Sequence, residues 1–387
     1  MKVIHVVRDF LPPTQTFIKD FLVELAQRSD IQSSVLYYGN KIDGSDGCVG
    51  RVVSLDSIVE RYIGRHEKLW MLLLRKRKRK YLERKALIKF FTEERPDVIH
   101  CHFAWCVWQL LYSAYMSLKE KPMLVVSVHG TDITKGLEND ENRKKLVELS
   151  EYPAVRFICT SEFLSNKLEL AGVAKNSLRI VPNAINPLFE GFRNAHSDRQ
   201  RSSFKIIHNG RFVGCKGHKY LVNAFALFVR YVDPEAELLL IGEGQLKAEV
   251  VKIVEELGLS RAIKFLGECS HFQVAEKLCS ADVYVQPSIK DEDTRQEEAF
   301  GVAIVEAMAV GLPVIVTRTG GVPYAVGAEN EFVRIVEPNS AEEIFQALTA
   351  VYRELTYLKD NWSAVGNHMS RYKLEDLVIS VLAIYKS

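Results

Sequence analysis

No stretch of this 387-residue sequence is apolar for long enough to cross a bilayer as a helix: the longest run, Leu69–Leu74, falls far short of the roughly 20 residues required. A secretory leader is missing too, because Arg8 and Asp9 interrupt the apolar stretch Val3–Val7 before it reaches leader length. The sequence therefore predicts a mature cytoplasmic chain. Cysteines number only seven (Cys48, Cys101, Cys106, Cys159, Cys215, Cys269 and Cys279), an odd count with no C-x-x-C pair. That excludes a disulfide framework and predicts reduced thiols. The grouping of Cys101, His102 and Cys106 lacks a second pair at ligand spacing, so no metal site is expected. Low complexity is absent as well, and 47% apolar with 26% charged residues excludes disorder. The length predicts about two domains.

Net charge is also scarce, at +2, but the balance is uneven. Between Arg61 and Phe90 stand 12 Lys/Arg against two Glu, a local +10 that leaves −8 on the rest of the chain. The apolar run Leu69–Leu74 leads directly into six consecutive cations, Arg75, Lys76, Arg77, Lys78, Arg79 and Lys80. This composition suits a segment lying on an anionic membrane surface, where each cation contributes about 1 kcal/mol. A solvated helix face and a nucleic-acid patch are the alternative readings.

What is present is alternation. Val3–Val7 reads as a buried strand, and 34–38, 98–101, 124–128 and 156–159 follow with helical stretches between most of them. The pattern breaks between Ile185 and Ser203 and then restarts, with strands at 204–208, 237–241, 263–266, 282–286, 313–317 and 332–336. Ser340 with Glu343 three residues on predicts a capping box for the helix that follows. The fold class is α/β, with two Rossmann-like doubly wound domains at 1–190 and 200–365, facing a central cleft. Helix 366–387 is expected to pack back onto the first domain.

The chemistry concentrates in the second half. Glu298-Ala-Phe-Gly301-Val-Ala-Ile-Val-Glu306 opens a buried helix at Gly301, whose free amides near Phe300 form an anion site. Glu306 lies about a turn and a half inside, where a carboxylate can accept from a ribose diol. The plain alternative makes both glutamates ordinary surface or helix-face charges. Upstream, Gly210-Arg211 and Lys216-Gly217 follow a strand and put two cations on one glycine-containing loop, enough to clamp a diphosphate. Gly242-Glu-Gly244 ends another strand and, alone, reads equally as a tight turn.

These motifs, in this order and with the Gly320-Gly321-x-Pro323 turn, resemble family 4 retaining glycosyltransferases of the GT-B fold. The resemblance covers nearly all of the second half and, less strongly, the first. It implies that Arg211 and Lys216 hold the donor diphosphate, Glu306 the ribose, and Glu298 the donor sugar beside the reacting carbon. It further implies a UDP- or GDP-linked sugar donor, no metal or other cofactor, and retention of configuration. In the first half, Ser127-Val-His129-Gly130-Thr-Asp132 resembles the family's H-G-x-D segment, which makes His129 a candidate catalytic residue near the donor sugar. A histidine at a strand end is otherwise often a satisfied core residue. Pro96-Asp-Val-Ile-His-Cys-His102 matches a family strand with His102 facing the cleft. His102, Asp132 and Thr16 are the acceptor-side candidates.

Two departures stand out. Arg8–Phe17 replaces the glycine-rich first loop of many members with the P-x-x-T-F-I variety of polysaccharide-assembly enzymes, and Tyr324 stands where the family commonly has Glu. The resemblance implies a glycan acceptor, lipid-linked, met at the membrane by a peripherally bound enzyme, with no nucleic-acid partner. An epimerase or hydrolase on the same architecture, or a non-catalytic nucleotide-sugar or RNA-binding protein, is the alternative.

Overall fold

A strand can pair in parallel with its successor only through a crossover, which returns the chain to the same end of the sheet. The computed structural model describes residues 1–10, 15–41, 49–63, 76–192, 203–360 and 366–387. The chain divides into two compact units, Met1–Val181 with Leu374–Ser387 and Pro182–Lys373.

The first unit holds a seven-stranded sheet built from β1 (Lys2–Val7), β2 (Gln32–Tyr37), β3 (Arg51–Ser54), β4 (Val98–His102), β5 (Met123–Val128), β6 (Val155–Cys159) and β7 (Leu178–Ile180), in the order β3-β2-β1-β4-β5-β6-β7. The second holds six strands, β8 (Lys205–Asn209), β9 (Glu237–Ile241), β10 (Ile263–Gly267), β11 (Val283–Gln286), β12 (Val314–Thr317) and β13 (Val333–Val336), in the order β10-β9-β8-β11-β12-β13. Every pairing within them is parallel. Both sheets are Rossmann-like, and each reverses its strand order once, between β1 and β4 and between β8 and β11. At such a switch point the two flanking loops part and leave a crevice at the carboxyl ends of the strands.

The apolar runs mark all of these strands except β3 and β7. Both are short edge strands whose residues are mostly half-exposed or exposed, so neither needs a continuous apolar run. The expected capping box at Ser340 is only half formed: Ser340 Oγ accepts from the Glu343 amide at 3.1 Å, but the Glu343 carboxylate accepts from the Glu337 amide at 2.7 Å instead. A complete box forms at Ser270 and Gln273, ahead of the helix His271–Cys279.

The division between units falls at Val181, earlier than the break expected between Ile185 and Ser203. Ile185 and Phe189 are buried in the core of the second unit, and the Ile185 amide donates to the Tyr372 carbonyl at 2.9 Å. Residues 366–387 do not act together. His368 and Tyr372 both hydrogen-bond the Ala325 carbonyl, at 3.0 and 2.7 Å, and stay with the second unit. The helix Leu374–Tyr385 completes the first, placing Val378, Val381, Leu382, Ile384 and Tyr385 in a core shared with Val3, Phe21 and Leu25.

That helix is also pinned by a polar contact. His100 on β4, 1% exposed, hydrogen-bonds the Tyr385 hydroxyl through Nδ1 at 2.6 Å and Ser127 Oγ through Nε2 at 2.7 Å. Removing one partner of a buried pair leaves the other unsatisfied, which costs about 1–3 kcal/mol. Tyr385→Phe should therefore lower the unfolding free energy of the first unit in urea by that amount while leaving the transition of the second unchanged; an unaltered first transition would refute the contact.

Candidate active site

In the second unit, the loop after β8 and the loop after β11 flank the switch point, and both carry charge. The chain leaves β8 through Gly210 and Arg211, makes a tight turn at Gly214–Lys216 and enters the helix His218–Tyr231. Gly217 begins that helix at φ +64°, and a Cβ there would run into the Pro287 carbonyl, so only glycine lets this loop seat against the end of β11. The Ile289 amide donates to the Cys215 carbonyl at 2.9 Å and joins the same two loops. The β9 loop is drawn in likewise. Gly242, at φ +125°, sits against the Gly210 carbonyl with no room for a Cβ, and the Phe212 amide donates to Glu243 beside Gly244 at 2.9 Å.

Lys216 reaches across to Glu298, and its ammonium donates to the carboxylate. The two side chains are only 16% and 14% exposed, so this is a largely desolvated ion pair rather than a surface one. Arg211 on the same loop is exposed. The main chain at Glu298 is anchored by its own carbonyl, which accepts from the Gly321 amide at 2.8 Å. Gly301 then caps the helix Val302–Ala309 at φ +94°. The Phe300 side chain is buried, edge-on to Tyr372 at 5.5 Å, so only its backbone can serve a ligand. Glu306 is buried inside the helix, 6% exposed. Tyr324, where the family commonly has a carboxylate, lies under the Arg371 guanidinium, 5.0 Å from the ring centre.

Sequence reasoning missed the residues that surround Glu298. Gln286 Nε2 donates to Ser288 Oγ at 2.8 Å and to Glu298 at 3.3 Å, and Ser288 Oγ lies 3.4 Å from the same carboxylate oxygen. The Tyr284 hydroxyl donates to Gln286 Oε1 at 2.6 Å, fixing the amide so that its N–H groups point at Glu298. All three are fully buried. The available signal was a glutamine closing an otherwise apolar strand.

In the first unit, His129 follows β5 and lies between Phe17 and Phe103, with ring centres 4.8 and 4.7 Å away. Neither ring nitrogen has a hydrogen-bond partner among the described residues, and burial, reinforced by His102, pushes the imidazole down to about 3. His129 is therefore neutral near pH 7. Phe103 adopts φ +78°, an uncommon conformation for a bulky residue, and stacks on Trp105 at 4.1 Å. Thr16 opens the helix Thr16–Ala26, half-buried.

Two acceptor-side expectations require correction. His102 does not face outward. It is 3% exposed, stacked on His100 at 4.2 Å, with Nε2 3.2 Å from His5 Nδ1. Asp132 is 1% exposed, and its carboxylate accepts backbone N–H groups from Ala104, His129 and Gly130 at 2.8, 3.1 and 2.9 Å. Burial raises it to about 6, against those N–H groups, which favour the charged form. Its work is to shape the loop that carries His129.

Among the described residues, His5, His100 and His102 are the group whose ligand atoms lie close enough for a metal ion, within 4.8 Å of one another. Their nitrogens are largely committed, to Tyr385, Ser127 and each other. A cation there would have to break those contacts.

The basic segment forms the helix Lys76–Glu94. Arg75 and Leu69–Leu74 lie outside the described residues, as do the side chains of Lys76, Arg77 and Lys78. Ala86, Leu87, Phe90 and Phe91 face inward, while Arg79, Lys80, Arg84, Lys85 and Lys89 are exposed. Beside the helix, Lys80, Arg84, Lys145, Trp108 and Tyr112 help line a depression of about 310 Å³. No helix among the described residues is long and apolar enough to cross a membrane.

The family model described as Glycosyltransferase Family 4 matches residues 15–188, and that described as Glycosyl transferases group 1 matches residues 193–363. The chain belongs to glycosyltransferase family 4. Its two parallel sheets make the GT-B fold of that family. The N-acetyl-alpha-D-glucosaminyl L-malate synthase of Bacillus anthracis is 29% identical over 238 residues, 60% of this chain and 59% of that enzyme. The MMP alpha-(1->4)-mannosyltransferase of Mycolicibacterium hassiacum is 32% identical over 193 residues, 49% of this chain and 44% of that one. These matches span less than two thirds of either relative. The crystal structure of Anabaena Alr3699/HepE in complex with UDP and glucose shares the fold at a TM-score of 0.73 and 16% identity, covering 99% of this chain and 98% of that one.

The buried histidines of this family 4 member set its response to acid. Burial lowers His5 and His100 well below the ordinary imidazole value of about 6.5, lowers His102, His129 and His208 to about 3, and lowers His218 to about 2. Each contributes stability that is complete above about 6.5 and lost as the pH falls below it, with a limiting slope of about 1.4 kcal/mol per pH unit. Asp132, raised to about 6, acts in the opposite sense between about 4 and 6, one group against several. Thermal midpoints should fall steeply from pH 7 to pH 5; a flat profile would show that these imidazoles are not neutral in the fold.

Proposed function

We propose that the chain transfers a sugar from a nucleoside-diphosphate sugar to a glycan acceptor with retention of configuration and without a metal. The observation that carries this reading is the convergence of the loops after β8, β9 and β11, with the Lys216 ammonium already paired to a carboxylate at that point. The UDP bound by Anabaena HepE on the same fold supports a nucleotide donor. Breaking the bond from the anomeric carbon to the diphosphate develops negative charge on the leaving group, which Lys216 and Arg211 stabilise, and positive charge on the sugar, which Glu298 faces. The acceptor hydroxyl attacks from the face the diphosphate leaves, and its proton passes to a departing phosphate oxygen. The helix N-terminus at Gly301 with Glu306 holds the rest of the nucleotide.

The acceptor in this reading is lipid-linked. The exposed face of the helix Lys76–Glu94 rests on an anionic inner membrane surface, with headgroup phosphates near Lys80, Arg84 and Lys145. Assembly of cell-surface polysaccharide or glycolipid is the corresponding role.

Lys216→Ala should fold normally by circular dichroism yet bind UDP and GDP about 10- to 100-fold more weakly. Release of nucleoside diphosphate from a panel of nucleotide sugars should depend on added acceptor; acceptor-independent release would indicate a hydrolase. The chain should pellet with vesicles containing anionic lipid and not with neutral ones, and equal pelleting would remove the membrane reading.

A further inference from the structure

Lys216 cannot give its full charge to Glu298 and to a diphosphate at once. In the structure the ammonium is paired with Glu298. Resting on the donor reading above, a diphosphate that takes Lys216 leaves behind a carboxylate that is only 14% exposed, and a buried charge without a partner is strongly disfavoured. Something must receive it. The groups in place are Gln286 Nε2 at 3.3 Å and Ser288 Oγ at 3.4 Å, both longer than good hydrogen bonds while Lys216 is the principal partner, and both on side chains that are fully buried.

We infer that Gln286 and Ser288 are positioning residues that take over the Glu298 carboxylate when the diphosphate takes Lys216, so that donor binding exchanges one hold on Glu298 for another. The geometry prepares the exchange. Tyr284 donates to Gln286 Oε1 at 2.6 Å, which fixes the amide with its N–H side towards Glu298, and Gln286 Nε2 also donates to Ser288 Oγ at 2.8 Å, which leaves the serine proton free to turn to the carboxylate. Thr317 Oγ1 donates to the Ser288 carbonyl and holds that residue from the neighbouring strand β12. Because Gln286 and Ser288 are neutral, they can hold Glu298 without competing with the diphosphate for a cation. The carboxylate thus stays charged and aimed where the donor sugar arrives.

The test is a mutant cycle read by calorimetry with UDP and, separately, GDP. Glu298→Gln removes the competitor for Lys216 and should tighten nucleotide binding about tenfold. Gln286→Leu removes a receiver and should weaken binding about tenfold in the parent chain. In the Glu298→Gln background, where no charge has to be received, Gln286→Leu should change binding less than about twofold. Equal weakening in both backgrounds would make Gln286 merely structural and overturn the inference, as would Glu298→Gln binding no tighter than the parent. Should Gln286→Leu fail to fold, Ser288→Ala carries the same cycle. If neither nucleotide binds the parent chain, the donor reading falls and takes the exchange with it. If nucleotide binds the parent but the cycle shows no coupling, only the exchange falls.

Discussion

Parallel strands joined by crossovers deliver the loop that follows each strand to one edge of the sheet, and the placement of the functional residues depends on that constraint. At the switch point of the second unit, the chain turns away in opposite directions after β8 and β11, so Lys216 and Glu298, 82 residues apart, meet where the two loops start out side by side. The glycines at 217 and 242 serve the same end by letting backbones approach where side chains would hold them apart.

Bringing charged groups to such an edge and partly covering them has an energetic cost, because desolvation penalises each charge unless it is paired. The two units meet that cost differently. Around Glu298 the charge is kept and surrounded by a lysine, a glutamine and a serine. In the first unit the buried imbalance is removed instead: burial leaves His5, His100, His102 and His129 neutral, and hydroxyls, neighbouring imidazoles and aromatic rings surround them. One arrangement stores a field for a ligand to redirect, and the other keeps a polar core quiet at neutral pH.

Legibility in the sequence followed from how local each determinant is. Buried central strands such as β1, β5 and β9 declare themselves through mostly apolar runs, and the glycine–cation loops declare themselves through residue types that few other settings require together. The edge strands β3 and β7 did not, because a strand paired on one side and half-covered needs no such run. His102 and Asp132 were misplaced for a related reason. A motif fixes where a residue stands on a strand or turn, whereas which way it faces depends on neighbours distant in sequence, here His5 for one and Ala104 for the other. Gln286 escaped notice because a lone amide at a strand end carries meaning only once Tyr284 and Glu298 are seen on either side of it.

The helix Leu374–Tyr385 gives the first unit an unusual history during synthesis. Its sheet is complete once Ile180 has been made, yet the apolar surface of Val3, Phe21 and Leu25 waits for a segment that emerges only after all of residues 182–373. At about 5–20 residues per second, that wait lasts roughly 10–40 s. For that interval the nascent chain displays a greasy face with its cover still untranslated, which makes this surface a natural place for a chaperone to bind. A ribosome that stops before residue 374 leaves behind a protein whose later-made unit can close while its earlier-made unit cannot.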